Sequence, residues 1–243
     1  MFRHKGKTRT LKHNLRIASL LSFVAGCVNV TGFLAVQKMT TNVTGHFASF
    51  VDEVFKQEFV VAFHYFLYVF FFLLGAFFSG FCIEAISKID KRLIYRIPIL
   101  TESLILICVA FSGTIALSSP NIIAHLLLFA MGLQNALVTS ISNAVVRTTH
   151  LTGLFTDLGI ELSQLFFYKE QEQKKTLFSS IRLRLTIISF FFLGGLFGGI
   201  FYSKIQLYVL LFASAILLIG LIYDNVTLQI KRKLKHIELH HKD

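Results

Sequence analysis

The sequence predicts an all-α, polytopic membrane protein. Six transmembrane helices form a three-plus-three inverted-topology repeat, and two short amphipathic or re-entrant helices carry a shared motif. Three observations lead there. Charged residues make up only 15% of the 243, against roughly 25% in soluble domains, and they sit in blocks between uncharged runs. A set of polar and small residues occurs twice in the same order. Lys and Arg collect in alternate connections between the apolar runs.

The runs without Asp, Glu, Lys or Arg are 17–37, 59–83, 103–146, 185–203 and 205–223. A helix needs about 20 apolar residues to cross the hydrocarbon core. The third run is long enough for two crossings, and Ser118-Ser119-Pro120-Asn121 breaks it with a turn. Mean hydropathy is +0.67, with 27 Phe and 2 Pro. A soluble helical domain fits this pattern poorly. Cys27, Cys82 and Cys108 all fall inside predicted spans, have no metal-ligand spacing and do not form a disulfide framework.

Gly26, Asn29, Thr40, Thr41, Asn42, Thr44, Gly45, Phe47 and Glu53 recur as Gly132, Asn135, Thr148, Thr149, His150, Thr152, Gly153, Phe155 and Glu161. From Thr40 to Glu53 the offset is 108; at Gly26 and Asn29 it is 106, so the copies differ by a two-residue insertion. The stretch 70–77 (Phe-Phe-Phe-Leu-x-Gly-x-Phe) also matches 190–197. An internal repeat of this kind governs the whole fold.

Taken in order, 1–16 is a basic cytoplasmic tail with Arg3, Lys5, Lys7, Arg9, Lys12 and Arg16. The apolar run after it is longer than a signal-peptide core and lacks an Ala-x-Ala site, so an uncleaved first helix is expected at 14–36. The motif segment 38–58 follows, with Phe47, Phe50, Val51, Val54 and Phe55 on one face. Helix 2 is expected at 59–86, followed by a basic loop containing Lys88, Asp90, Lys91, Arg92 and Arg96. Helix 3 is expected at 97–117, with Pro98 tolerated in its first turn, and helix 4 at 122–145. The second motif segment, 147–168, places Leu154, Leu158, Leu162 and Leu165 on one face. A polar, basic loop is expected at 169–184, then helices at 185–202 and 205–223 and a basic tail over 224–243. The two repeats are thus 17–117 and 118–223.

Cytoplasmic loops are enriched in Lys and Arg. Six crossings with both termini in the cytoplasm put every basic block inside, which also accounts for the net charge of +11 without nucleic acid. Each half then holds an odd number of crossings, so the two copies lie in opposite orientations. The first motif segment is expected at the outer side and the second at the inner side.

Inverted repeats with interrupted helices are a recurring plan for secondary transporters. Thr44 or Thr152 could begin a short helix, with the following Gly supplying unusual backbone angles, and its free N–H groups would suit an anion. A capped connection with no ligand is the plainer reading. Asn29 and Asn135 either line a central polar site or hydrogen-bond between helices. Glu53 and Glu161 are matched carboxylates, with Asp157 one turn before the second; they are functional at membrane depth and merely solvated at the surface. Glu102 has no counterpart in the other repeat and is expected at the cytoplasmic interface. Gly75-x-x-x-Ser79 and Gly195-x-x-x-Gly199 would let helices approach closely, between the halves or in a homodimer. No metal cluster, phosphate loop or nucleophile elbow is visible, so no enzyme, metal or cofactor is expected.

Gly26-Cys27-Val28-Asn29, Met39-Thr40-Thr41-Asn42, the 130–136 stretch Ala-Met-Gly-Leu-Gln-Asn-Ala, and the 147–153 stretch Arg-Thr-Thr-His-Leu-Thr-Gly resemble the YoaK-type bacterial membrane proteins, catalogued as domain of unknown function 1275. The likeness covers roughly 14–222 and implies a multi-pass inner-membrane protein without an established activity. The family commonly carries an acidic residue where Asn29 stands. The leading expectation is a small secondary transporter or permease in the lipid bilayer, moving an unidentified small solute or ion by alternating access. The alternative is a non-transporting scaffold or partner-binding protein.

Overall fold

The computed structural model describes residues 10–88, 94–113 and 118–240, and among them no strand occurs. The first basic tail up to residue 9 and most of the 87–96 loop lie outside the described residues. Helix α1 spans Leu11–Val36, behind a capping box formed by Thr10 and His13. The short α2 spans Val43–Phe55 and α3 spans Phe59–Ser87. Helix α4 covers Arg96–Ala110, and α5 covers Pro120–Ser142 with its proline at the helix start, where the missing N–H costs nothing. The short α6 spans Leu151–Gln164. Helix α7 runs Gln171–Ile205, a 3-10 turn follows at Gln206–Tyr208, and α8 runs Val209–His240.

Three expectations change here. The 169–184 loop is instead the first part of α7. It contains no Gly or Pro and many good helix formers, and Leu177 and Ile181 pack against Leu158 of α6. The basic tail continues α8 as helix to His240. The expected third helix is interrupted, since α4 ends at Ala110, Phe111 is a turn residue and Ser112 lies outside any helix; the expected end of that helix at 114–117 lies outside the described residues.

The first long helix of each half packs on the second long helix of the other half: α1 along α7, and α5 along α3. Helices α1 and α5 also touch each other, α4 packs on α8, and α4–α5 and α1–α8 close the core. The residues at these crossings explain the closeness. A Cβ on Gly26 would lie 1.9 Å from the Phe191 carbonyl oxygen, and one on Gly132 would lie 2.0 Å from that of Phe72. In return, a Cβ on Gly194 would meet the Phe23 carbonyl oxygen at 2.0 Å, and one on Gly75 that of Phe129 at 2.0 Å. Only residues without a side chain allow backbones this near. In α7 the tight register therefore falls at Gly194 and Gly198, one residue before the expected pair. Gly195 and Gly199 face Val30 instead, at 3.1 and 3.4 Å. Gly75 and the fully buried Ser79 thus correspond to Gly194 and Gly198.

The outer surface is apolar. Phe59, Phe63, Phe66, Phe70, Phe77 and Phe81 form an exposed stripe down α3. Water-soluble monomers rarely expose such a patch, whereas hydrocarbon covers it without cost. Four stretches are long and apolar enough to cross a membrane: Leu11–Val36, Phe59–Ser87, Pro120–Ser142 and Gln171–Asp224. The sequence predicts six crossings. The fourth stretch includes both α7 and the start of α8, while α4, at 15 residues, is shorter than a span requires.

Candidate functional site

The motif segments are built alike. Helix α1 ends at Gln37 and α5 at Asn143, both in the left-handed region at φ 53 and φ 58. Each chain then folds back along the helix it has just left. Thr41 Oγ1 donates to Asn29 Oδ1 at 2.7 Å, and Thr149 Oγ1 donates to Asn135 Oδ1 at 2.9 Å. Asn29 and Asn135 stand equally far from their helix ends, so each segment returns about 10 Å along the helix axis. Thr40 and Thr148 are fully buried; the first donates to the Val28 carbonyl at 3.4 Å and the second to Asn135 Oδ1 at 3.5 Å. Asn135 Nδ2 also donates to the Met131 carbonyl at 2.9 Å. The two-residue insertion lies between Asn143 and Thr148, where Ala144 is also left-handed at φ 63.

Other expected site residues fall elsewhere. The residues preceding the short helices are Asn42 and His150, not Thr44 and Thr152, which are exposed in the first turns. Asn42 Oδ1 accepts from the Gly45 N–H at 3.0 Å; His150 makes no such bond. Gly45 and Gly153 supply space rather than unusual angles: a Cβ would meet Met39 Cε and His150 Nδ1, each at 2.6 Å.

The carboxylates have separate local partners. Glu53 and Asp52 pair with Lys56 on the surface of α2. Asp157 and Glu161 share Arg184 of α7 at 2.9 and 2.8 Å, and Ser180 Oγ donates to Glu161. These contacts tie α6 to α7, and neither set includes Asn29 or Asn135.

His46 was not singled out in the sequence. It holds the position of Leu154 in the second copy, and that mismatch within the repeat was the available signal. It is the one buried residue of α2 and donates through Nε2 to the Met39 carbonyl. Its ring lies 4.8 Å from that of Tyr68, which in turn donates to Asn121 of α5. Lys38 Nζ donates to Tyr65 of α3 at 3.2 Å. Burial pushes the His46 imidazole below its ordinary range, the Met39 carbonyl opposes this, and Lys38 adds to it. The folded state therefore binds fewer protons here than the unfolded one. Its contribution is present above about pH 6.5 and is lost as pH falls through the lowered folded value. Acidification should accordingly loosen α2. Amide exchange over 43–55, corrected for intrinsic rates, should speed up between about pH 7.5 and about pH 5. The effect should vanish in His46→Leu; unchanged exchange in the wild type would refute it.

Glu102 is fully buried near the middle of α4. Gln134 is buried as well, and its Nε2 donates to the Leu21 carbonyl of α1 at 2.7 Å, joining the two halves.

Comparison with known proteins gives one family match. The model described as "Protein of unknown function (DUF1275)" matches residues 17–223. No curated protein and no solved structure matches.

Proposed function

This chain belongs to DUF1275, a family of proteins of unknown function, and within it we propose a small secondary transporter or permease of the bacterial inner membrane. Its two halves act as an inverted repeat of three crossings each, with both termini in the cytoplasm. The observation that carries this reading is the pair of folded-back segments, Asn29–Thr41 and Asn135–Thr149, one in each half. Interrupted chain at depth, repeated about a pseudo-twofold axis, is how transporters of this plan bring polar groups to a central site. The exchanged packing of α1 on α7 and α5 on α3 supports the same reading, because rocking of one helix pair against the other would expose the Asn–Thr pairs to each side in turn. The reading includes no catalytic step and no cofactor; its partners are lipid and a small solute or ion.

Flux into liposomes carrying the purified protein tests the reading. Accumulation or exchange of at least one solute from a broad panel of ions, amino acids, sugars and nucleobases is expected. Folded protein that moves none of them would sink it.

A scaffold is favoured by one observation: both Asn side chains already have hydrogen-bond partners within the chain. Cysteines placed at 29 and 135, in a background lacking Cys27, Cys82 and Cys108, separate the two readings. Reaction with polar thiol reagents is expected for a transporter, and inertness at both positions for a scaffold.

A further inference from the structure

Neither the motif segments nor the matched carboxylates account for the most costly polar group in the core. Glu102 is 0% exposed, and neither of its carboxyl oxygens has a hydrogen-bond partner. It lies on the inward face of α4 with Ile99, Ser103, Leu106 and Val109, against α5 and α8. Unpartnered buried oxygen recurs around this core: Ser103 Oγ on α4, Gln134 Oε1 on α5 and Ser22 Oγ on α1. Among the described residues, the titratable groups on elements packed against α4 include His125 on α5, Tyr208 in the 3-10 turn, Tyr223 and Asp224 on α8, and Cys82 on α3. None of them hydrogen-bonds to the Glu102 carboxyl.

A carboxylate anion left without donors in an apolar core costs far more than the fold can bear. A neutral acid has a proton to offer and a much smaller solvation debt. Gln or Leu would sit here at less cost, so an ionisable side chain left unpartnered in the core points to use of its proton. We propose that Glu102 is a proton-binding site, loaded as the neutral acid while it is buried as here and emptied to water when the halves part. The O–H bond breaks, the electron pair stays on the carboxyl oxygen, and the proton passes to water. Solute movement is thereby coupled to proton movement. This rests on the transport reading for its coupling, but not for the proton site itself.

The test uses the reconstituted full chain and a hydrophobic carbodiimide, which modifies protonated carboxyls in apolar surroundings, with adducts read by peptide mass spectrometry. Glu102 should be labelled, and labelling should fall by roughly tenfold per pH unit once the pH exceeds the acid's own titration point. The exposed Glu58 serves as the internal reference, and Glu102→Gln, which keeps shape and neutrality, should fold and carry no adduct at that position. Absence of labelling at Glu102, or labelling that stays constant across the pH range, overturns the proposal. So does protection by added sodium at constant pH, which would make the site a cation site. The second arm is solute-driven proton flux in the same liposomes, followed with an internal pH dye. Loss of proton flux in Glu102→Gln with solute exchange retained supports coupling; identical proton flux in both proteins overturns it. If Glu102 titrates and no solute moves, the transport reading fails while the proton site stands.

Discussion

Replacing Gly26 or Gly132 with alanine is expected to prevent the bundle from closing in its native register. The added methyl would sit 1.9 or 2.0 Å from a carbonyl oxygen of the facing helix. The obstacle is backbone, so no side-chain rotation can relieve it, and α7 or α3 must move away along its length. Overpacking typically costs about 1–3 kcal/mol, and an obstacle made of backbone puts these substitutions at the upper end. Gly75 and Gly194 should behave the same way, because each contributes the other half of one of these crossings. Gly80 provides the control: nothing lies within 4 Å of its would-be Cβ, so Gly80→Ala should be neutral or stabilising by up to about 1 kcal/mol. Thermal unfolding in detergent, followed by loss of the monodisperse size-exclusion peak, checks the series. Wild-type melting of Gly26→Ala would show that these helices do not cross at glycine.

The second large effect is on transport. Asn29→Ala and Asn135→Ala each remove the acceptor that holds a folded-back segment, and together they should abolish solute exchange. Their stability costs should differ. Asn29 loses the bond from Thr41, worth about 1 kcal/mol net. Asn135 loses the bonds from Thr149 and Thr148 and its own donation to Met131, so it should cost about two to three times as much, the long Thr148 bond counting least. Exchange rates in liposomes and melting temperatures, measured on the same preparations, separate the two effects. Full exchange by the double variant would remove the Asn–Thr pairs from the mechanism.

Much of the fold was legible because periodicity and composition are local properties. The bounds of α3 agree with those the apolar runs predict to within a residue, and those of α1 and α5 to within about three, because long apolar runs between charged blocks allow few alternatives. The repeat was legible for the same reason, since matched residues in matched order need no knowledge of contacts. Helix α7 began earlier than expected because the charge of 169–184 suggested solvation, while its helix is fixed by Arg184 and Leu177 docking on α6, partners distant in sequence. The one-residue shift from Gly195 to Gly194 has a similar origin. Four small residues stand close together in α7, and only the facing helix selects which of them lies at the crossing.

By itself, then, the sequence determined the all-helical class, the apolar runs and the two related halves, each of which depends on which residue types follow one another. Tertiary structure alone decided that Thr41 and Thr149, rather than Thr44 and Thr152, meet the asparagines, that His46 anchors α2, and that Glu102 is buried without a partner. The physical reason is that burial and hydrogen bonding belong to pairs of elements. A helix carries the same residues whether its neighbour covers one face or another, and only packing fixes which polar groups lose water.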